Sequence, residues 1–150
     1  MNSKSYKFKN SYKEEKMSDL TGWKKYGLLG VSGLLTLAFL AAGATKLAGM
    51  EVYIQNYQKW GIPLFFLYVV GASEVIFAIG LWIRRFSGVA ALGLVFLMIG
   101  AVGTHVKAGE MNALMIPIGL GVLALFVFWL RWPETRDRYL SFGKTALQKN

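Results

Sequence analysis

Four stretches of almost unbroken apolar sequence, residues 26–44, 62–83, 86–104 and 113–130, limit this chain more than any other feature. Each approaches the ~20 residues that a helix rising 1.5 Å per residue needs to cross a ~30 Å hydrocarbon layer. Apart from Glu74 their interruptions are small or weakly polar residues rather than Lys and Glu, so a helix built from any of them has no charged face to turn toward water. With 55% hydrophobic residues in 150, the chain holds more apolar material than one small water-soluble core buries. The expectation is an all-α integral membrane four-helix bundle over residues 26–132. A polar arm (1–25) precedes it and a basic tail (133–150) follows. Pro133 is expected to stop the last helix, and the tail to lie on anionic lipid at the inner surface.

The formal charge of +9 suits either a nucleic acid or a membrane surface, and position decides between them. Lys4, Lys7, Lys9, Lys13, Lys16, Lys24 and Lys25 precede the first stretch, Arg84 and Arg85 separate the second from the third, and Arg131, Arg136, Arg138, Lys144 and Lys149 follow the last. Only Lys46, Lys59 and Lys107 fall on the opposite side. Cations accumulate in cytoplasmic loops, so both termini are expected in the cytoplasm. Trp23, Trp82, Trp129 and Trp132 at inner ends and Trp60 at an outer end suit the headgroup layers. The charge is therefore topogenic, and no segment is long enough to be a soluble nucleic-acid module. Residues 1–16 lack the apolar core of a secretory signal and read as disordered. Residues 13–16 (Lys, Glu, Glu, Lys) back-translate into a purine-rich stretch resembling a bacterial ribosome-binding site, which makes Met17 a candidate start. An intact mass that includes Met1 would remove that idea.

Membrane helices associate through close packing, for which small residues are suited. Gly27, Gly30, Gly33, Ala38 and Ala42 mark the first stretch, Gly71, Ala72, Ala78 and Gly80 the second, Gly88, Ala91, Gly100 and Gly103 the third, and Gly119, Gly121 and Ala124 the fourth. They serve packing within the chain or, alternatively, a homodimer. Pro117 is tolerable near the start of the fourth span. The turn at Arg84 and Arg85 is short enough to make spans two and three antiparallel neighbours. Between spans one and two, Met50, Tyr53, Ile54, Tyr57 and Trp60 recur at helical spacing while Glu51, Gln55, Gln58 and Lys59 take the other side. This predicts a short amphipathic helix in the outer interface, either a plain cover or a substrate-facing lid.

The chain has no cysteine and one histidine, which excludes disulfides, thiolate metal sites, iron–sulfur clusters and a bis-histidine haem within one copy. No metal site is expected. Glu74, about ten residues from Arg84, lies roughly 15 Å deep, where a carboxylate costs several kcal/mol unless neutral, paired or hydrated. It is expected inside the bundle, either protonated and bonded to backbone, Ser73 or Thr36, or exchanging a proton with a ligand. Lys46 and His105 end spans one and three at one outer level, roughly 15 Å from Glu74, too far for a direct Lys46 salt bridge without tilt, unwinding or water. The three form a polar path opening outward with Glu74 at its base; otherwise Lys46 snorkels and His105 is an interfacial residue.

The strings Ala42-Gly43-Ala44-Thr45-Lys46-Leu47, Gly61-Ile62-Pro63 and Gly71-Ala72-Ser73-Glu74, the basic pair Arg84 and Arg85, and Met98-Ile99-Gly100-Ala101 leading to Thr104-His105-Val106 together resemble the DoxX-like membrane proteins over residues 27–129. The resemblance implies a four-helix protein of a bacterial respiratory plasma membrane, in a family linked to quinone-coupled sulfur oxidation and to oxidative-stress and thiol-handling complexes. Many members are described as oxidoreductases without a demonstrated reaction. The family's recurring Lys, Glu and His correspond to Lys46, Glu74 and His105. One reading is an accessory subunit that holds a quinone near Glu74, with Lys46, His105, Tyr57, Trp60 and Met98 as ligand contacts and a soluble or membrane oxidoreductase supplying electrons. The other is a non-catalytic adaptor or small-molecule carrier; a small multidrug exporter is a third possibility. Vitamin-K-epoxide-reductase chemistry is excluded by the missing cysteines. Fold alone does not transfer activity.

Overall fold

The computed structural model describes residues 22–147, which are helix and turn without strand. In order these are α1 (Gly22–Leu47), α2 (Glu51–Lys59), α3 (Phe65–Gly80), α4 (Ser87–Ala108), a short 3-10 helix (Met111–Leu114) and α5 (Met115–Leu147). The chain divides into two compact units, Met1–Gly30 and Val31–Asn150. The first contributes only the opening turns of α1, and the geometry below belongs to the second. The expected disordered arm falls largely on residues 1–21, outside the described residues, and α1 is already helical at Gly22.

Three segments of 22 residues, Tyr26–Leu47, Ser87–Ala108 and Met111–Trp132, are long and apolar enough to cross a membrane. The second expected span is shorter than its apolar run. Pro63 and Leu64 precede α3 rather than join it, and residues 81–86 form the turn to α4, leaving a 16-residue helix, about 24 Å long. A further expectation is overturned at the other end. Pro133 does not stop α5, which continues to Leu147. A proline inside a helix strands one carbonyl a turn earlier, and here it follows directly on the apolar segment that ends at Trp132, where such a group can be re-satisfied. Pro117 is the third residue of α5, where its missing N–H removes little.

Positive φ among the described residues occurs at Gly49, Gly61 and Gly109, and all three do the same work. Each follows a helix end and closes a paired reverse turn. Gly49 N–H bonds Lys46 O while Met50 N–H bonds Thr45 O; Gly61 bonds Gln58 while Ile62 bonds Tyr57; Gly109 bonds Val106 while Glu110 bonds His105. One end of the unit is thus made of three glycine turns. The opposite end carries the Arg84 and Arg85 turn.

Leu35, Phe39, Leu67, Leu94 and Val127 are fully buried, whereas Leu37, Phe96, Ile116 and Trp129 are mostly exposed, Leu37 by 72%. So much large apolar surface facing outward is what acyl chains, not water, would cover. Helices α3 and α4 are adjacent, with Gly80 against Ala90 and Gly93 under the Phe77 ring; α4 meets α5 where Met98 lies over Gly121. The small residues divide into two kinds. Gly33, Gly100, Gly103 and Gly119 have nothing within 4 Å of where a side chain would begin, so they do not serve the packing expected of them within the chain; Gly43, Gly71, Gly80, Gly93 and Gly121 do.

Candidate functional site

The site begins with two glycines. A Cβ on Gly43 of α1 would lie 2.7 Å from the carbonyl oxygen of Gly71 on α3, and one on Gly71 would lie 2.9 Å from Lys46 Cβ. Only glycine allows backbones this close. The helices run antiparallel here, so Lys46, three residues after Gly43, comes beside Gly71, and Glu74, three residues after Gly71, comes beside Gly43. The tetrads Gly43-Ala44-Thr45-Lys46 and Gly71-Ala72-Ser73-Glu74 are counterparts across one crossing. Even their hydroxyls behave alike, each bonding back along its own helix: Thr45 Oγ1 to Ala41 O at 2.9 Å and Ser73 Oγ to Val69 O at 2.8 Å.

Lys46 Nζ donates to Glu74 Oε1 at 2.8 Å and to Oε2 at 2.7 Å; the Glu74 side chain is buried and that of Lys46 is 12% exposed. This corrects the separation of roughly 15 Å. That figure counted ten helical residues from Arg84, but α3 ends at Gly80 and the turn uses up the rest. Measured across the crossing, Lys46 is level with Gly71, three residues or about 4.5 Å from Glu74 along the axis, and the Lys46 side chain leans back toward the start of α1, its Nζ 3.5 Å from Ala42 O. Neither expected neutral partner of Glu74 is used: Ser73 bonds Val69, and Thr36 bonds Ser32 O at 2.8 Å while accepting from Trp82 Nε1 at 2.8 Å.

Helix α2 lies beside this pair. Its amphipathic pattern is realised from Tyr53 onward, with Tyr57 buried, Tyr53, Ile54 and Trp60 half-buried, and Glu51, Gln55, Gln58 and Lys59 exposed, whereas Met50, expected on the covered side, is exposed. Lys46 Nζ sits 5.1 Å from the centre of the Tyr53 ring, a cation–π contact. Burial, and secondarily the charge of Glu74, raises the Tyr57 phenol above its usual pKa. It therefore stays protonated as a donor.

His105 does not join the pair. Its Nδ1 lies 2.8 Å from Glu110 Oε2, while Lys59 Nζ donates to Glu110 Oε1 at 2.5 Å. Hydrogen bonds from Lys59 first and His105 next hold the Glu110 carboxyl at about 2, well below the usual range. Trp60 connects the two clusters, its ring 5.5 Å from Tyr57 and edge-on to His105 at 5.2 Å. Beside it is a cavity of about 430 Å³ lined by Lys59, Trp60, Ile62, Gly100, Gly103, Thr104, Lys107 and Ala108. Met98 is buried in the α4–α5 contact over Gly121. The residue missed from sequence is Glu110. Its signal was Gly109: a left-handed glycine after a helix folds the residue that follows back under the one five positions earlier, here Glu110 under His105.

A search of curated proteins finds no match, and neither does a search of solved structures. A DoxX-like family model matches residues 30–127, which contain every residue of the Lys46/Glu74 crossing and of the His105 cluster, and the chain is a membrane protein belonging to the DoxX-like family.

Proposed function

We propose that this chain is a small accessory subunit of a membrane redox system, holding a quinone-type ring at the Lys46/Glu74 pair. Helices α1, α3, α4 and α5 are its four spans, and both termini lie in the cytoplasm of a bacterial plasma membrane. The observation carrying this reading is the pair itself. Burying two charges costs several kcal/mol per ion before their attraction offsets it, and Lys46 and Glu74 are enclosed by apolar helices with α2 alongside. The donor set fits such a ligand. Two of the Lys46 N–H groups are taken by Glu74, whereas the third reaches only Ala42 O at 3.5 Å, and a ring carbonyl would take that one. Tyr57 keeps its proton as a second donor, Tyr53 offers an aromatic face, and Glu74 holds the Lys46 ammonium in place. A bound quinone would supply two-electron, two-proton chemistry, with electrons from a partner oxidoreductase. In lipid nanodiscs, Glu74→Gln should weaken binding of a fluorescent quinone analogue by well over tenfold, about 1.4 kcal/mol or more. Undiminished binding would remove the pair from the site.

The closure of the pair favours a second reading. One ammonium saturates both carboxylate oxygens, which also describes a lock between α1 and α3 in a non-catalytic adaptor or carrier. Under that reading no quinone analogue binds, and a partner oxidoreductase co-purifies equally with wild type and with a Lys46→Met/Glu74→Met double variant.

A further inference from the structure

The geometry points to the cavity beside Trp60 as a seat for an anionic phospholipid, its phosphate held by Lys59 and Lys107 and one acyl chain lying down α4. The site is separate from Lys46 and Glu74. Its volume, about 430 Å³, falls within the range of small-ligand sites, roughly 300–1,000 Å³. Its two ends differ in chemistry.

At the lip are the ammonium groups of Lys59 and Lys107 and the Thr104 hydroxyl, whose own proton is spent on Gly100 O at 2.9 Å. Glu110 does not oppose an incoming phosphate as an isolated carboxylate would, because His105 and Lys59 already occupy its two oxygens. It also anchors Lys59 at the lip while leaving that side chain 62% exposed. Charge-assisted bonds from two ammonium groups suit a phosphate monoanion and not a carbonyl.

Below the lip the wall is smooth. Phe96, Gly100, Gly103 and Lys107 stand at i, i+4, i+7 and i+11, one stripe of α4 about 16 Å long. Gly100 and Gly103 have nothing within 4 Å of their absent side chains, and Phe96 beneath them is exposed. A bare trough that runs from two cations into the apolar face of a membrane helix matches a molecule with an anionic head and a hydrocarbon chain. A soluble anion would have no use for the lower half.

Native mass spectrometry of the detergent-purified protein tests this with dioleoyl phosphatidylglycerol and dioleoyl phosphatidylcholine as probes. Wild type should retain phosphatidylglycerol at least tenfold better. Lys107→Gln, which leaves the Glu110 bonds intact, should bring that preference to near unity. Gly103→Leu fills the trough without changing charge and should lower phosphatidylglycerol retention about tenfold, while thermal unfolding shows that both variants remain folded. Glu74→Gln should retain the lipid as wild type does. Equal retention of the two lipids by wild type, or wild-type retention by both Lys107→Gln and Gly103→Leu, overturns the proposal. So does complete displacement of phosphatidylglycerol by millimolar inorganic phosphate, which would mark a site for a free anion.

Discussion

Lys46 and Glu74 stabilise one another only as a pair, and this gives the interaction a recognisable thermodynamic signature. Removing one partner of a buried ion pair leaves an uncompensated charge, at a cost of about 3–5 kcal/mol, whereas replacing both with apolar groups of similar volume is often neutral. Lys46→Met and Glu74→Leu should each lower stability by about that amount in reversible unfolding in mixed micelles, and the double variant should recover most of it. Additive losses would mean that the two side chains act independently. Glu110 gives a different signature, in pH. Its carboxyl falls from 4.5 to about 2 in the folded protein, so its bonds to Lys59 and His105 contribute fully above about 4.5 and are lost as pH falls through 2. Hydrogen exchange of residues 104–114, corrected for intrinsic rates, should speed up across that window. Glu110→Gln should exchange fast throughout, and protection that is unchanged between pH 5 and 2 would contradict the assignment. Lys46, Glu74 and His105 could be singled out as candidates from the rarity of ionisable groups in apolar sequence. Their pairing was not, because it depends on where α3 ends and on a glycine turn after His105.

The same limit applies to the helices. The strings around Gly43 and Gly71 stood out in sequence, yet nothing in their order says that they face each other, since that follows from an antiparallel crossing at one register. Counting small residues could not sort them either: Gly33 and Gly43 look equivalent along α1, but one meets open space and the other a carbonyl oxygen at 2.7 Å. Gly43→Ala should therefore force α1 and α3 apart, costing about 1–3 kcal/mol as overpacking does. It should also weaken quinone-analogue binding, because Lys46 and Glu74 separate with the backbones. Gly33→Ala, unopposed and helical, should be neutral or raise stability by up to about 1 kcal/mol. Gly109→Ala fails for another reason, its φ of 73°, which disfavours any side chain. Its loss should appear in His105 and Glu110 and leave the Lys46/Glu74 pair unchanged. Similar effects from Gly33→Ala and Gly43→Ala would show that propensity, not the crossing, governs α1. The amphipathic helix α2 was read correctly because a 3.6-residue pattern is local. The continuation of α5 past Pro133 was not, because one local signal was given too much weight against the rest of the helix.

Arrangement across the membrane turns on α3. Its 16 helical residues span about 24 Å, short of a ~30 Å hydrocarbon layer, but the apolar residues 62–64 before it and 81–83 after it extend the segment at both ends. The short turn to α4 makes α3 and α4 antiparallel, so if α4 crosses, α3 either crosses beside it or is held within one leaflet. The two cases differ in parity. Four crossings return the C-terminus to the side of the N-terminus, whereas three separate them. The basic residues favour four, because the arm, the Arg84 and Arg85 turn and the tail then share the cytoplasmic side. The absence of cysteine makes the test direct, since each introduced thiol is the only one in the chain. Ser18→Cys, Lys107→Cys and Asn150→Cys are expressed separately, and intact cells are treated with a membrane-impermeant maleimide. Lys107→Cys should be labelled, while Ser18→Cys and Asn150→Cys should react only after lysis. Labelling of just one terminus in intact cells would mean that α3 does not cross, and the reverse pattern would invert the protein, moving the cavity at Lys107 to the cytoplasmic leaflet.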